Sequence, residues 1–247
     1  TTNMNLAVLN GFEQIIIQNP KDFNLFLKTI DKLKPTFTSA VPAIYTTINS
    51  HPEILEGRYD LKSIRIWTSG AASLPAEVQL AFEKITGCKI IEGYGLSEAS
   101  PVTHFNPASG GTVGSIGLTL VGTDCKIVDY ETETSTLPAG EEGILCVSGP
   151  QVMKGYWNNP AESAKVLKPD AEGRLWLHTG DVAVMDEKGY VRIRDRKKNM
   201  ILASGGFNVY PREIEERLYE HPAVHECAVI GVPVGSPDQR IKAFVAL

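Results

Sequence analysis

The 247-residue sequence predicts an α/β fold: a parallel sheet with helices, then a small antiparallel β-layer or barrel, then the start of a small α+β unit. Three observations predict it. Strand-like runs alternate with helical stripes up to about residue 109, the pattern of parallel β-α-β units. From about Gly110 helical periodicity fades and Gly111, Gly114, Gly117 and Gly122 punctuate short β-rich runs. The basic run Arg196-Lys197-Lys198 then precedes a new helical pattern and two more strands. The expected divisions are 1–109, 110–195 and 196–247.

In order, Phe12–Ile17 reads as a short strand ending at Asn19-Pro20. Phe23, Phe26, Leu27, Ile30 and Leu33 recur at helical spacing, opposite Asp22, Lys28, Asp31 and Lys32, until Pro35. Thr36–Val41 is strand-like, and Pro42 opens a second helix. His51-Pro52 and Gly57 break a polar region. Ser63–Thr68 is a strand running into Ser69-Gly70-Ala71-Ala72, and Pro75 suits the first turn of a helix with Val78, Ala81, Phe82 and Ile85 on one side and Gly87 at its end. Ile90 and Ile91 then end a buried strand at the turn Gly93-Tyr94-Gly95. In the β-rich part, Cys125–Val128 and Ile144–Val147 are strands, while Pro138-Ala139-Gly140 and Asp186–Gly189 are turns. A short helix follows Asn159-Pro160, and Val191–Asp195 is a strand with Arg192 and Arg194 on one face. Pro211 opens the last helix, His221-Pro222 ends it, and Val224–Val232 and Ile241–Leu247 are strands. The stop in mid-strand leads us to expect a piece of a longer protein.

Composition narrows the class. With 21% charged and 43% hydrophobic residues, the chain reads as an ordinary globular protein. A net charge of −5 argues against nucleic-acid binding. No apolar run approaches the ~20 residues of a membrane span. Cys88, Cys125, Cys146 and Cys227 form no C-x-x-C pair, which suggests reduced thiols in a cytoplasmic protein. The five histidines show no metal-ligand spacing.

The chemistry concentrates in Lys89–Pro101. Tyr94 can stack on a flat heterocycle, Ser97 can hydrogen-bond a phosphate oxygen, and Glu98 is a hard oxygen ligand of the kind Mg²⁺ takes beside substrate phosphates. The same residues also suit a plain turn with a solvated Glu. On the same rim of a parallel sheet, Ser69–Ala72 and Gly93–Gly95 could clamp a planar base such as the adenine of ATP, although Ser69–Ala72 taken alone also suits a plain strand-to-helix turn. Asp181, in Thr179-Gly180-Asp181, suits the paired hydroxyls of a ribose, and Arg196, one hairpin away, could back it. A surface Asp and Arg on a hairpin is the simpler alternative, and His178 reads as a bystander.

Several separated segments resemble one family, the adenylate-forming acyl-CoA synthetases, which also includes luciferases and peptide-synthetase adenylation domains. Tyr94-Gly95-Leu96-Ser97-Glu98 resembles its Tyr-Gly-x-Thr-Glu motif, with Ser97 for the commoner Thr. Gly149-Pro150-Gln151-Val152-Met153-Lys154-Gly155-Tyr156-Trp157 is similar to its Gly-x-x-x-x-x-Gly-Tyr segment. Thr179-Gly180-Asp181 resembles the ribose motif, and Asp195-Arg196-Lys197-Lys198 with Gly205–Pro211 the hinge and following loop. Among subfamilies the chain most resembles bacterial long-chain fatty acyl-CoA ligases. It departs at Asn199, where an Asp is usual, and in an extra residue around Ser204-Gly205-Gly206.

The resemblance implies a large-domain part and the start of the C-terminal domain of an acyl-CoA synthetase. It implies a fatty acid activated by ATP to acyl-AMP and passed to coenzyme A, with Mg²⁺ on Glu98 and Ser97 at the α-phosphate. Gly70, Ala71, Ala72, Glu92, Gly93, Tyr94, Gly95, Leu96 and Ile193 would serve the nucleotide, and Asp181 and Arg196 its ribose. Lys198 would be the hinge, Ser204, Gly205 and Gly206 would line the CoA path, and Gly114–Thr119 with Pro101–His104 the acyl pocket. The family's phosphate loop should precede residue 1 and its carboxylate-contacting lysine should follow residue 247, so the chain alone is expected to be inactive. A cytoplasmic protein follows, without a membrane span and compatible with peripheral association. Open alternatives are an aryl- or shorter-chain acid ligase, a non-catalytic nucleotide-binding module, or, against the missing G-x-G-x-x-G, a dinucleotide oxidoreductase.

Overall fold

The computed structural model describes residues 2–19, 22–109, 111–203, 207–234 and 239–247, and the chain divides into two compact units, 1–95 with 105–114 and 96–104 with 115–247. In the first unit, α1 (Thr2–Asn10) precedes α2 (Phe23–Leu33). The Asp22 side chain caps α2 by accepting from the Leu25 amide at 2.9 Å, and Lys34 ends it in the left-handed region. Next come β1 (Phe37–Ala40), α3 (Pro42–Ser50), α4 (Pro52–Leu55), β2 (Ile66–Ser69), α5 (Ala76–Thr86) and β3 (Ile90–Gly95). β1, β2 and β3 run parallel with β2 between the others.

The core of this unit is an aromatic triangle. Trp67 from β2, Tyr45 from α3 and Phe82 from α5 are all fully buried. Phe82 meets Tyr45 and Trp67 edge-on at 5.1 Å between centroids, the offset geometry the ring quadrupole favours. The Tyr45 hydroxyl donates to the Thr68 carbonyl at 2.7 Å, while Trp67 Nε1 is buried without a hydrogen-bond partner among the described residues.

Four local expectations are corrected here. Phe12–Ile17 is not a strand: it pairs with none of the described strands, and Phe12 and Ile16 are exposed, while α1, which the periodicity did not suggest, precedes it. The second strand begins at Ile66, because Leu61–Ile64 is a turn closed by the Ile64 amide on the Leu61 carbonyl at 3.2 Å. Pro75 is the N-cap of α5 and not its first helical residue. Gly93-Tyr94-Gly95 is the end of β3 and not a turn.

In the second unit, β4 (Val102–Phe105) lies beside β5 (Leu118–Thr119). The β-layer comprises β6 (Asp124–Val128), β7 (Glu142–Ser148), β8 (Leu167–Pro169), β9 (Leu175–Met185) and β10 (Val191–Arg196), with α6 (Pro160–Val166) ahead of β8. Its antiparallel path runs β10-β9-β7-β6, with β8 on β9. Among the described residues this path does not close, so it is an open layer and not a barrel. Gly143 on β7 is required by proximity: a Cβ there would stand 2.2 Å from the Val128 carbonyl oxygen. The chain ends in a second sheet of β11 (Ile201–Ala203), β12 (Phe207–Val209), β13 (Glu226–Pro233) and β14 (Gln239–Ala246), ordered β12-β11-β14-β13, with α7 (Pro211–Tyr219) preceding β13. No helix among the described residues is long and apolar enough to cross a membrane.

Candidate functional site

In the first unit the two small-residue segments do come together. Ser69 is in register with Glu92, so Gly70-Ala71-Ala72 leaves the sheet beside Gly93-Tyr94-Gly95, the last residues of β3, at its carboxyl edge. A Cβ built on Gly70 would lie 3.6 Å from the Gly93 carbonyl oxygen. Ala71 holds φ +68, a conformation that L-residues adopt at a cost. Gly93 and Gly95 do not occupy the left-handed region, so what they contribute is an absence of bulk. Glu92 is turned inward: it is buried, its Oε1 accepts from the Leu74 amide at 3.4 Å, and its carbonyl accepts from the Asn106 amide at 3.1 Å. It also borders a cavity of about 200 Å³ with Gln79, Asn106 and Thr112.

In the second unit Leu96 leads into a 3₁₀ turn, Ser97–Ala99, closed by Ser100 at φ +52. Ser97 is exposed, and its hydroxyl has no partner among the described residues. Glu98 is half-buried. Its carbonyl accepts from the Met153 amide at 2.7 Å and its Oε1 accepts from the Tyr156 hydroxyl at 2.8 Å, while Oε2 takes no hydrogen bond among the described residues. Accepting that phenol's proton holds the Tyr156 pKa above its ordinary value. No group of three or more His, Cys, Asp and Glu that could hold a metal occurs among the described residues. A cation at Glu98 would therefore be held by one carboxylate oxygen together with water and phosphate, a donor set that suits Mg²⁺.

Asp181 owes its position to a bulge. Ile144 of β7 pairs with Val182 and Cys146 with His178, so Thr179, Gly180 and Asp181 together face Leu145 alone. Gly180 takes φ +75, open only to a residue without Cβ strain. The Thr179 hydroxyl donates to the Leu145 carbonyl at 2.9 Å and accepts from the Asp181 amide at 3.1 Å, repairing the interrupted ladder. Each residue of Thr-Gly-Asp thus has a separate job. The Asp181 carboxylate, nearly buried, meets Arg196 Nε at 3.4 Å across the register pair Asp181–Arg196. Ile193 is half-buried on β10. Arg194 occupies a bulge of its own between Ile193 and Asp195, so it does not continue the face of Arg192; it reaches Glu142 and Glu213.

Around the expected hinge, Lys198 is exposed in the 3₁₀ turn Lys197–Asn199. Its neighbours are engaged. Asp195 accepts from the Asn199 side chain at 2.9 Å and from the Arg212 amide at 3.3 Å. An Asp at 199 would set two carboxylates against each other; the amide found there donates. Lys197 Nζ donates to the Tyr130 carbonyl at 2.9 Å and to Glu133 at 2.7 Å. Ser204, Gly205 and Gly206 lie outside the described residues.

Composition gave no hint of Glu133, a hub between Lys168 at 2.6 Å and Lys197. Burial pushes its carboxyl up, but the hydrogen bonds and charges of the two lysines outweigh that and hold it at about 2. A lowered folded-state pKa stabilises above the unfolded value and loses that contribution as pH falls through the folded one. Glu133→Gln is therefore expected to lower the urea midpoint of the complete protein at neutral pH. The gap to wild type should shrink on acidification from about 4.5 toward 2. A gap constant down to pH 3 would remove Glu133 from this role. His178, expected as a bystander, is buried 3.6 Å from Glu133, and burial holds its pKa low. His104, on β4, is fully buried, and its pKa falls to about 4. Sequence reasoning also missed Tyr130, Tyr210 and Glu142, whose side-chain oxygens converge, with the Tyr hydroxyls 2.8 Å apart and Tyr210 donating to Glu142 at 2.6 Å. Aromatic residues spaced this far along the chain carry no local signal.

Comparison with known proteins gives two family matches: the AMP-binding enzyme model over residues 1–157 and the AMP-binding enzyme C-terminal domain model over residues 213–247. The chain is 51% identical to the long-chain-fatty-acid–CoA ligase of Bacillus subtilis (strain 168), over 100% of this chain and 42% of that protein. It thus spans 42% of the length of the curated relative it matches. Among solved structures it is similar to ATP-bound MatB from Rhodopseudomonas palustris, with TM-score 0.88 and 32% identity over 98% of this chain and 46% of the other. An anthranilate CoA ligase, AuaEII, in complex with anthranoyl-AMP gives TM-score 0.84 and 32% identity over 95% of this chain and 44% of the other.

Proposed function

Because the chain belongs to the AMP-binding enzyme family, we propose that the complete protein activates a long-chain fatty acid with ATP, forming acyl-AMP and pyrophosphate, and then transfers the acyl group to coenzyme A. The observation that carries this reading is the Thr179-Gly180-Asp181 bulge, which spends three residues on aiming one nearly buried carboxylate beside Arg196. Such a carboxylate accepts two hydrogen bonds, as a cis-diol donates. The 51% identity to a named long-chain ligase over the whole chain supports the substrate class.

In this reading the carboxylate of the acid attacks the α-phosphorus and pyrophosphate leaves; the CoA thiol then attacks the acyl carbonyl and AMP leaves. Both steps depend on position and on neutralising charge. In the second unit Ser97 donates to the α-phosphate and Ile193 serves the nucleoside; in the first, the edge formed by Gly70–Ala72 and Gly93–Gly95, with Tyr94, serves the adenine. Glu98 would hold Mg²⁺, which when bound would neutralise phosphate charge. Lys198 is the hinge between half-reactions, with Ser204–Gly206 on the CoA path and 196–247 as the moving part.

An aryl acid is the second reading, favoured by the likeness to the ligase solved with anthranoyl-AMP. Release of pyrophosphate by the complete protein, with acids from acetate to palmitate plus benzoate and coumarate, decides between them. Palmitate is expected to turn over fastest. Benzoate or coumarate leading the series would move the assignment to aryl acids, and no turnover with any acid would leave a nucleotide-binding module.

A further inference from the structure

The segment from Gly149 to Trp157 resembles a family motif, yet none of the roles above uses it. Two of its residues reach the 3₁₀ turn that carries Glu98. The Met153 amide donates to the Glu98 carbonyl at 2.7 Å, which pins the main chain. The Tyr156 hydroxyl donates to Glu98 Oε1 at 2.8 Å, which pins the carboxylate. Tyr156 is itself braced. Its amide donates to Ser163 Oγ at 2.8 Å, and that hydroxyl donates in turn to the Asn159 carbonyl at 2.8 Å in the first turn of α6. Gly155 permits this approach, since it holds φ +148 and a Cβ there would stand 3.0 Å from Ser163 Oγ. The Asn159 side chain caps α6 by accepting from the Glu162 amide at 3.2 Å. A chain of contacts therefore runs from a capped helix to one carboxylate oxygen, across 58 residues of sequence.

We propose that Tyr156 is a positioning residue for the divalent cation: by occupying Oε1 of Glu98 it fixes the carboxylate rotamer and turns Oε2 outward as the single metal-binding oxygen. A glutamate carboxylate, carried on three side-chain torsions, would otherwise be ordered only when the cation arrives. Partners that hold a metal-ligating carboxylate commonly change metal affinity by about 10- to 100-fold when removed. This inference rests on the reading of Glu98 as the metal-binding residue.

The test is calorimetric binding of α,β-methylene-ATP to the complete protein with and without Mn²⁺, for wild type, Glu98→Gln and Tyr156→Phe. The expected result is that Mn²⁺ tightens binding in wild type, not at all in Glu98→Gln, and by about 10-fold less than wild type in Tyr156→Phe, whose metal-free affinity stays unchanged. That last readout separates a positioning role from a merely structural one. Tyr156→Phe equal to wild type with Mn²⁺, or weakened equally without it, overturns the proposal for Tyr156 alone. An Mn²⁺ gain that survives in Glu98→Gln, or no binding of the analogue by any form, overturns the reading of Glu98 and the proposal with it.

Discussion

Asp181→Ala in the complete protein is expected to weaken AMP binding about 100-fold while leaving the thermal midpoint within a few degrees of wild type. The size follows from the contact proposed. A hydrogen bond to a charged acceptor contributes roughly 1.5–3 kcal/mol, so two of them contribute at least about 3 kcal/mol, a factor on the order of 100 at the low end. The fold should tolerate the change because its partner Arg196 is 62% exposed at the side chain and can turn to water. The Thr179 hydroxyl and the φ of Gly180 hold the bulge. Asp181→Asn keeps the shape and one acceptor, so its loss should be smaller. Calorimetry with AMP measures both, and an Asp181→Ala protein that binds AMP like wild type would end the ribose assignment.

The largest effect on stability is expected at Phe82. Its ring is fully buried between Tyr45 and Trp67, and truncation to Ala removes both edge-to-face contacts and leaves a cavity. Losses of about 3–5 kcal/mol are usual for such a change, and a chain of this size then melts on the order of 6–20 °C lower. Phe82→Leu, which keeps much of the volume, should cost under about 1.5 kcal/mol. Thermal melts of the two variants check this, and an Ala variant within about 1 kcal/mol of wild type would mean that the neighbours close over the gap.

The parallel part of the fold was legible because each signal was local. Proline stands at the first position of α3, glycine ends α5 at φ +72, and the apolar spacing of α2 puts Leu27 and Ile30 inside. The failures have physical causes as well. Phe12–Ile17 has strand composition but pairs with none of the described strands, and pairing is a tertiary fact that composition does not contain. The candidate residues Asp181 and Arg196 were readable as a pair because one hairpin separates them. Tyr156 and Glu98 lie 58 residues apart, so their hydrogen bond could be found only in three dimensions. The Thr179-Gly180-Asp181 bulge falls between these cases. The glycine marks it in the sequence, but the ladder that it interrupts belongs to β7.

The meeting of Tyr130, Tyr210 and Glu142 has an arithmetic consequence. Three oxygens lie within bonding reach of one another, yet with the carboxylate ionised only two hydrogens are available among them. One of the three links is therefore always idle, and loss of either phenol's hydroxyl leaves the survivor still donating to Glu142. The two tyrosines insure each other, so deleting both hydroxyls together should hurt far more than the sum of deleting them singly.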